Sequence, residues 1–512
     1  MSLDKRFYIH TGKDGILQDT NEADVRTLVE ELKKSAKVVI HLHGGLVTKE
    51  QALEKAERLK PTYLQAGAHP IFMIWESGFV ETIGNNLQEI NKEKIFALVV
   101  KKLLKYTVGK LTDLSGAKAT GQLRLPNDIE VATEFNKRQQ NEVPFSDVRP
   151  VPNLKGLIEA ERKRFEDALA TDIDFQNEVQ AIVNGARPEA ESKSTTTKGI
   201  TALHRRSTQT LMSPKVVDDL VADAAEKEGK GIFSTAKLIL IAGTILKRII
   251  ERFIAKRDHG VYATIIEEVL REFYLANVGA MIWNMMKKDT ADTFEQISQH
   301  PTRAGWFFVQ ELARMITGGH QPEISVVAHS AGAIYACHLL EHLDWARNAP
   351  NHALPEGFKL KHLMFLAPAC DFALFDRALT SHSKAALFED FRMFALSDRL
   401  ESGYWEVPAI YPRSLLYFVS GIVEKEHDES AYDLPLVGME RYYRESEIYS
   451  QPEIERVRQF LMRSTDHRSE VWSEDDRGAG LASDALRHGG FDSTQERSKT
   501  IAAVNQILKE GW

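Results

Sequence analysis

A serine flanked by small residues at the end of an apolar run carries the strongest chemical signal in the chain. Residues 324 to 332, ISVVAHSAG, lead directly into the helical pattern AIYACHLLEHLDWA, so the segment reads as buried strand, sharp turn and helix. A turn of this kind lifts a hydroxyl clear of the backbone. It needs small residues two before and two after the serine, because strand and helix close on each other there. Ala328 stands where the G-x-S-x-G pattern has its first glycine, and Gly332 keeps the second. Ser330 is therefore the candidate nucleophile. The N–H of Ala331, at the start of the helix, is placed to hold a developing oxyanion. A serine that merely caps a helix is the plainer reading of so short a motif; the apolar strand before it and the apolar helix after it argue for the nucleophile.

A hydroxyl needs a base, an acid to orient the base, and a second oxyanion donor. HLHGGL, residues 41 to 46, ends an early strand with two glycines that let backbone approach a substrate, which makes the N–H of Gly45 or Leu46 the expected second donor. His41 and His43 also form an H-x-H pair that would suit zinc, but no nearby cluster completes such a site, so no metal is expected. In the chain order serine, acid, histidine, two aspartates qualify: Asp371 after HLMFLAPAC and Asp398 after FRMFALS. The usual place, after the second strand beyond the nucleophile, favours Asp398. Of the 17 histidines, His488 follows the last strand pattern, SEVWS, in the glycine-flanked loop RHGGFDST, where catalytic groups collect. His467 and His427 are the runners-up for the base. His329 adjoins the nucleophile at a strand end, cannot turn toward its neighbour's hydroxyl, and reads as structural.

The elements that must position these residues follow an α/β pattern. FYIHTG, KVVIHLHGG and HPIFMIW read as strands, with NEADVRTLVEELKKS and KEQALEKAERLKPTYLQAG as helices capped by Asn21 or Thr20 and by Thr48. After residue 300 the alternation returns. PTRAGWFFVQELARMITGG and the run after Ser330 read as helices, KLKHLMFLAPACD, FRMFALSD and SEVWS as strands, and TIAAVNQILKE as a last helix. Such alternation predicts a mostly parallel sheet flanked by helices. Between 85 and 300 strand patterns give way to helical ones, so the expected division is core at 1–84, a helical insertion or cap at 85–300, and core again at 301–512. Residues 186–214, rich in Ser, Thr, Pro and charge, read as a mobile loop.

The quoted motifs HLHGGLVTKEQALEKAERL, FMIWESG, VVAHSAGAI, LAPACDFALFDRAL, MFALSDRLESG and HGGFD resemble the α/β hydrolases of lipase-like or esterase-like character, of the DUF900 type. The likeness spans both ends of the chain and skips the middle. It implies the α/β-hydrolase fold, with Ser330, Asp398 and His488 as the triad.

The expected chemistry is acyl transfer to Ser330 and hydrolysis of the acyl enzyme, with no cofactor. A carboxylic ester with an apolar acyl or lipid group is the expected substrate. An amidase or peptidase would use the same triad, and a non-catalytic binding or sensor module on the same scaffold, with 186–214 recruiting a partner, is the reading from another class. A net charge of -8 gives no reason to expect a nucleic-acid partner. Two cysteines exclude a disulfide framework. The first residues lack the apolar run of a secretory leader, and no run reaches the roughly 18 to 20 apolar residues that cross a bilayer. The expectation is a cytoplasmic protein. Residues 237–257 combine helical apolar spacing with Lys237, Lys247, Arg248, Arg252, Lys256 and Arg257, which would allow peripheral contact with an anionic membrane. Packing of this helix within a cap is the plainer reading, and FYLANVGAMIWNMM, 273–286, has the methionine-rich character of an adaptable acyl pocket.

Overall fold

The computed structural model describes residues 3–45, 48–75, 79–114, 126–148, 158–185, 211–213, 216, 235–274, 276–295, 302–348, 354–424, 433–462, 468–494 and 499–511. Seven strands form one sheet: β1 (Tyr8–Thr11), β2 (Lys37–Leu42), β3 (Ala68–Trp75), β4 (Glu323–His329), β5 (Leu360–Leu366), β6 (Phe388–Ala395) and β7 (Arg468–Trp472). Their order is β1-β3-β2-β4-β5-β6-β7 and every pairing is parallel. All seven coincide with strand patterns in the sequence. The reason is burial on both faces, which turns the central strands into nearly continuous apolar runs.

Successive residues feed opposite faces. Ile40, Leu42, Val326, Ala328 and Phe365 join one apolar cluster, while Val39, Val327, Met364 and Leu366 join the other. Helices Lys49–Gln65 and Lys499–Glu510 cover the second face through Ala56, Leu59, Tyr63, Val504 and Ile507. Helices Glu22–Leu32, Ala304–Thr317, Gly332–Asn348 and Phe372–Lys384 contribute to the first. The expected caps form: Asn21 accepts from the N–H groups of Ala23 and Asp24, and Thr48 accepts from that of Gln51, each in a reciprocal capping box.

Between β3 and β4 the described residues hold helices and no strand, from Phe79–Lys92 to Ala276–Asp292. Leu103, Phe135, Ile245 and Ile265 from this stretch belong to the same cluster as the first sheet face. The expected loop at 186–214 lies almost wholly outside the described residues. A second helical excursion, not marked by any sequence pattern, fills the chain between β6 and β7 with Leu415–Phe418, Val419–Val423, Arg441–Arg444 and Pro452–Met462. The two excursions are joined by buried charge. Arg252 is fully buried and pairs with Glu267 (2.7 Å) and Glu268 (3.0 Å), while Glu267 also takes hydrogen bonds from His259 and from Tyr411 Oη, each at 2.7 Å. Asp433 accepts from Arg257 Nε (2.5 Å) and from the hydroxyls of Tyr442 and Tyr449.

The segment 237–257 falls largely on the helix Thr235–Ile254, whose apolar face, including Leu238, Ile245, Ile249 and Phe253, is turned into the protein. Lys247 pairs with Glu159 and Arg248 with Glu272, both at 2.6 Å. With Arg252 buried as well, the geometry favours the packing role over membrane contact. No helix among the described residues is long and apolar enough to cross a membrane.

Candidate active site

Ser330 follows β4 with φ +55°, a left-handed conformation that costs a non-glycine residue about 1–3 kcal/mol and is kept only where the surroundings impose it. Here they do. Its N–H donates to Leu366 O (2.8 Å) at the end of β5, and its carbonyl accepts from Ala333 and Ala369, both at 3.0 Å. The small neighbours are required by contact: a Cβ on Gly332 would stand 2.2 Å from Leu42 O, and Ala328 and Ala331 are fully enclosed. The turn thus presents its hydroxyl between the ends of β2 and β5 and the helix Gly332–Asn348.

The glycines of the β2 loop lie against this turn. A Cβ on Gly44 would meet Ser330 Cβ at 3.2 Å, and one on Gly45 would meet Ala331 Cβ at 2.7 Å and Met286 Sδ at 2.3 Å. Gly45 and Ala331 are therefore adjacent, as two donors to one oxyanion must be. Leu46, the other expected donor, lies outside the described residues. Met286 belongs to the helix Ala276–Asp292, so the long helical excursion reaches the glycine loop beside the nucleophile turn. That helix is tied down by Glu424, which accepts from Trp283 Nε1 and Lys287 Nζ, each at 2.7 Å. Ser330 itself is only 2% exposed.

His488 opens a short 3-10 turn, His488–Gly490, beyond β7. Its Nε2 is 2.7 Å from Ser330 Oγ. With the hydroxyl donating, Nε2 holds the lone pair and Nδ1 the proton of the neutral ring. Burial pushes this imidazole well below its ordinary pKa; His329 and Lys55 push the same way and Asp492 opposes them. The resting ring is therefore neutral, the state a general base needs. The structure thus brings the expected nucleophile and base into contact across 158 residues of chain.

The acids are placed differently. Asp398 accepts from Tyr417 Oη (2.6 Å), and its own N–H donates to Glu440 (2.8 Å). Its carboxylate lines a polar cavity of about 550 Å³ with Lys256, Arg413, Arg441 and Tyr417. Asp371 Oδ1 accepts from Leu374 N (2.7 Å) and caps the helix Phe372–Lys384. Neither aspartate is hydrogen-bonded to His488, whose buried Nδ1 has no partner among the described residues. His427 and His467 lie outside the described residues.

A buried carboxylate in the loop of His488 itself was not singled out in the sequence. Asp492, four residues further along the same loop, has a fully buried side chain whose Oδ2 accepts from Lys55 Nζ (2.6 Å) and lies 3.1 Å from His329 Nδ1. Burial pushes its carboxyl up, and His329 and Lys55 more than reverse this, holding it well below the usual carboxylate range. The motif HGGFD contains it, but nothing in the spacing says which way the aspartate turns.

The paired histidines of the β2 end take separate partners: His41 Nδ1 is 2.9 Å from Tyr63 Oη, while His43 accepts from Trp75 N (3.1 Å) and stacks on the Trp75 ring. Among the described residues, the group with ligand atoms close enough for one metal ion is Asp14, Asp289 and Asp292. Lys288 pairs with two of the three, Asp14 and the buried Asp292. Comparison of the chain with protein-family models, with curated proteins and with solved structures finds no match in any of the three.

Proposed function

We propose that the chain is a serine hydrolase of the α/β-hydrolase type that cleaves carboxylic esters. The observation that carries this reading is the 2.7 Å contact between Ser330 Oγ, on a left-handed strand-to-helix turn, and the neutral His488 Nε2. His488 takes the Ser330 proton as Oγ attacks the ester carbonyl, then returns it to the departing alcohol. The N–H groups of Ala331 and Gly45 are the expected holders of the tetrahedral oxyanion. Water, deprotonated by the same imidazole, then displaces the acyl group from Ser330. No step calls for a cofactor.

The helix Ala276–Asp292 serves in this reading as part of a cap, because Met286 reaches Gly45 and the nucleophile is enclosed. A thioether at that place suits an apolar acyl group, since methionine adjusts its shape at little cost. An amide would be attacked by the same pair, so the substrate class is decided by turnover. Purified protein is assayed against p-nitrophenyl esters of graded acyl length beside the matching anilides. The expected result is ester hydrolysis that disappears in Ser330→Ala while the thermal midpoint is kept. Anilide turnover exceeding ester turnover would move the activity to amides, and equal turnover in Ser330→Ala would sink the proposal.

A further inference from the structure

We propose that His329, anchored by Asp492 and Lys55, is the positioning residue that fixes the base His488 against the nucleophile; this rests on the hydrolase reading given above. In a serine hydrolase the base is ordinarily oriented by an acid at its far nitrogen, and that nitrogen, His488 Nδ1, has no hydrogen-bond partner among the described residues. Among the described residues the side chain of His488 makes one hydrogen bond, to Ser330 Oγ. A ring held at one end by the group it must activate gains from a second constraint, and its own main chain is where the described residues supply one.

His329 supplies that constraint. It is the last residue of β4 and therefore adjoins Ser330. Its Nε2 is 3.1 Å from the carbonyl oxygen of His488; a carbonyl only accepts, so Nε2 is the donor. The two rings lie side by side, with centroids 5.3 Å apart and planes inclined by 30°. On its other edge, Nδ1 stands 3.1 Å from Asp492 Oδ2. One imidazole thus meets the base loop at two places, hydrogen-bonded to the carbonyl of residue 488 and close beside the carboxylate of residue 492. Lys55, on the helix Lys49–Gln65 under the opposite sheet face, holds the same carboxylate oxygen at 2.6 Å. Gly44 closes the remaining side, since a Cβ there would lie 3.3 Å from His329 Nδ1.

The nucleophile turn and the base loop are separated by 158 residues, yet the residue beside the nucleophile is bonded directly to the main chain of the base. Any shift of the loop must break this bond. A displacement on the order of 1 Å in such an arrangement costs about 100-fold in rate.

The test measures labelling of Ser330 by a fluorophosphonate and the kcat and KM of ester hydrolysis in the full chain, for wild type, His329→Phe and His329→Gln. Phenylalanine keeps the ring volume and removes the donor; glutamine restores an N–H where Nε2 stood. His329→Phe is expected to label about 100-fold more slowly and to lose a similar factor in kcat with KM nearly unchanged, while His329→Gln recovers at least about tenfold. Labelling of His329→Phe within a factor of about three of wild type, or a His329→Gln variant as impaired as His329→Phe, overturns the proposal while leaving the hydrolase reading intact. Should His329→Phe lack a cooperative melt, the charge-neutral pair Lys55→Gln with Asp492→Asn decides: a rate loss of at least about tenfold supports the role, and a wild-type rate overturns it. A wild type that is neither labelled nor active overturns both readings.

Discussion

Enclosing an imidazole as His488 is enclosed makes its charged form expensive, chiefly because burial removes water, with neighbouring His329 and Lys55 acting in the same direction and Asp492 against it. Protonated His488 cannot accept the Ser330 proton, so a pKa held well below 6.5 extends activity downward in pH. The acid limb of kcat/KM for a soluble ester is expected to have its midpoint clearly below pH 6.5, measured with a substrate that does not itself titrate there. A midpoint at or above 6.5 would contradict the burial argument. At this scale the sequence pointed to Ser330 and His488, each beyond a strand in the α/β pattern, and the structure places their side chains in contact. It did not show where the carboxylates turn. Chain order identifies the loop after β6 and therefore Asp398, but whether that side chain turns toward His488 or toward Tyr417 depends on the second excursion, whose packing no local pattern encodes.

Elements were legible where a repeating apolar pattern dictated them. The buried strands β2, β4, β5 and β6 announce themselves as apolar runs, and Asn21 and Thr48 mark helix starts because their side chains satisfy otherwise unpaired N–H groups. The residues between β6 and β7 were not legible: Leu415–Phe418 and Arg441–Arg444 are four-residue turns of helix, too short for a period, and are held by distant contacts, Tyr417 against the His259 ring and Arg441 Nη1 on Asp258 O. The amphipathic segment 237–257 was legible as a helix but not by its surroundings, since basic residues on an apolar helix serve a membrane surface or buried carboxylates equally well. The structure separates these by expected cost. Arg252→Met removes the cation that buried Glu267 and Glu268 share, leaving them His259 and Arg271, and is expected to destabilise the fold by about 3 kcal/mol in denaturant unfolding. Lys247→Gln, which removes a partner from the exposed Glu159, is expected to change the unfolding midpoint little. A small effect of Arg252→Met would refute the view that this helix is internal structure.

Across the whole molecule, one all-parallel sheet gathers groups from distant parts of the chain at the carboxyl ends of its strands: Gly45 after β2, Ser330 after β4 and His488 after β7. The helical excursion between β3 and β4 packs into the same apolar cluster as one sheet face and brings Met286 to Gly45 beside the nucleophile turn, so distant parts of the chain enclose the site together. The central claim is that this assembly activates one serine among all those in the chain. It is tested most directly by treating the purified protein with a fluorophosphonate and locating the adduct by intact mass and peptide mapping. The account predicts a single phosphonyl adduct on Ser330, absent after heat denaturation and absent in Ser330→Ala, and formed far more slowly in His488→Ala. An unmodified Ser330 in folded, active-length protein, or an adduct that persists in Ser330→Ala, would contradict it.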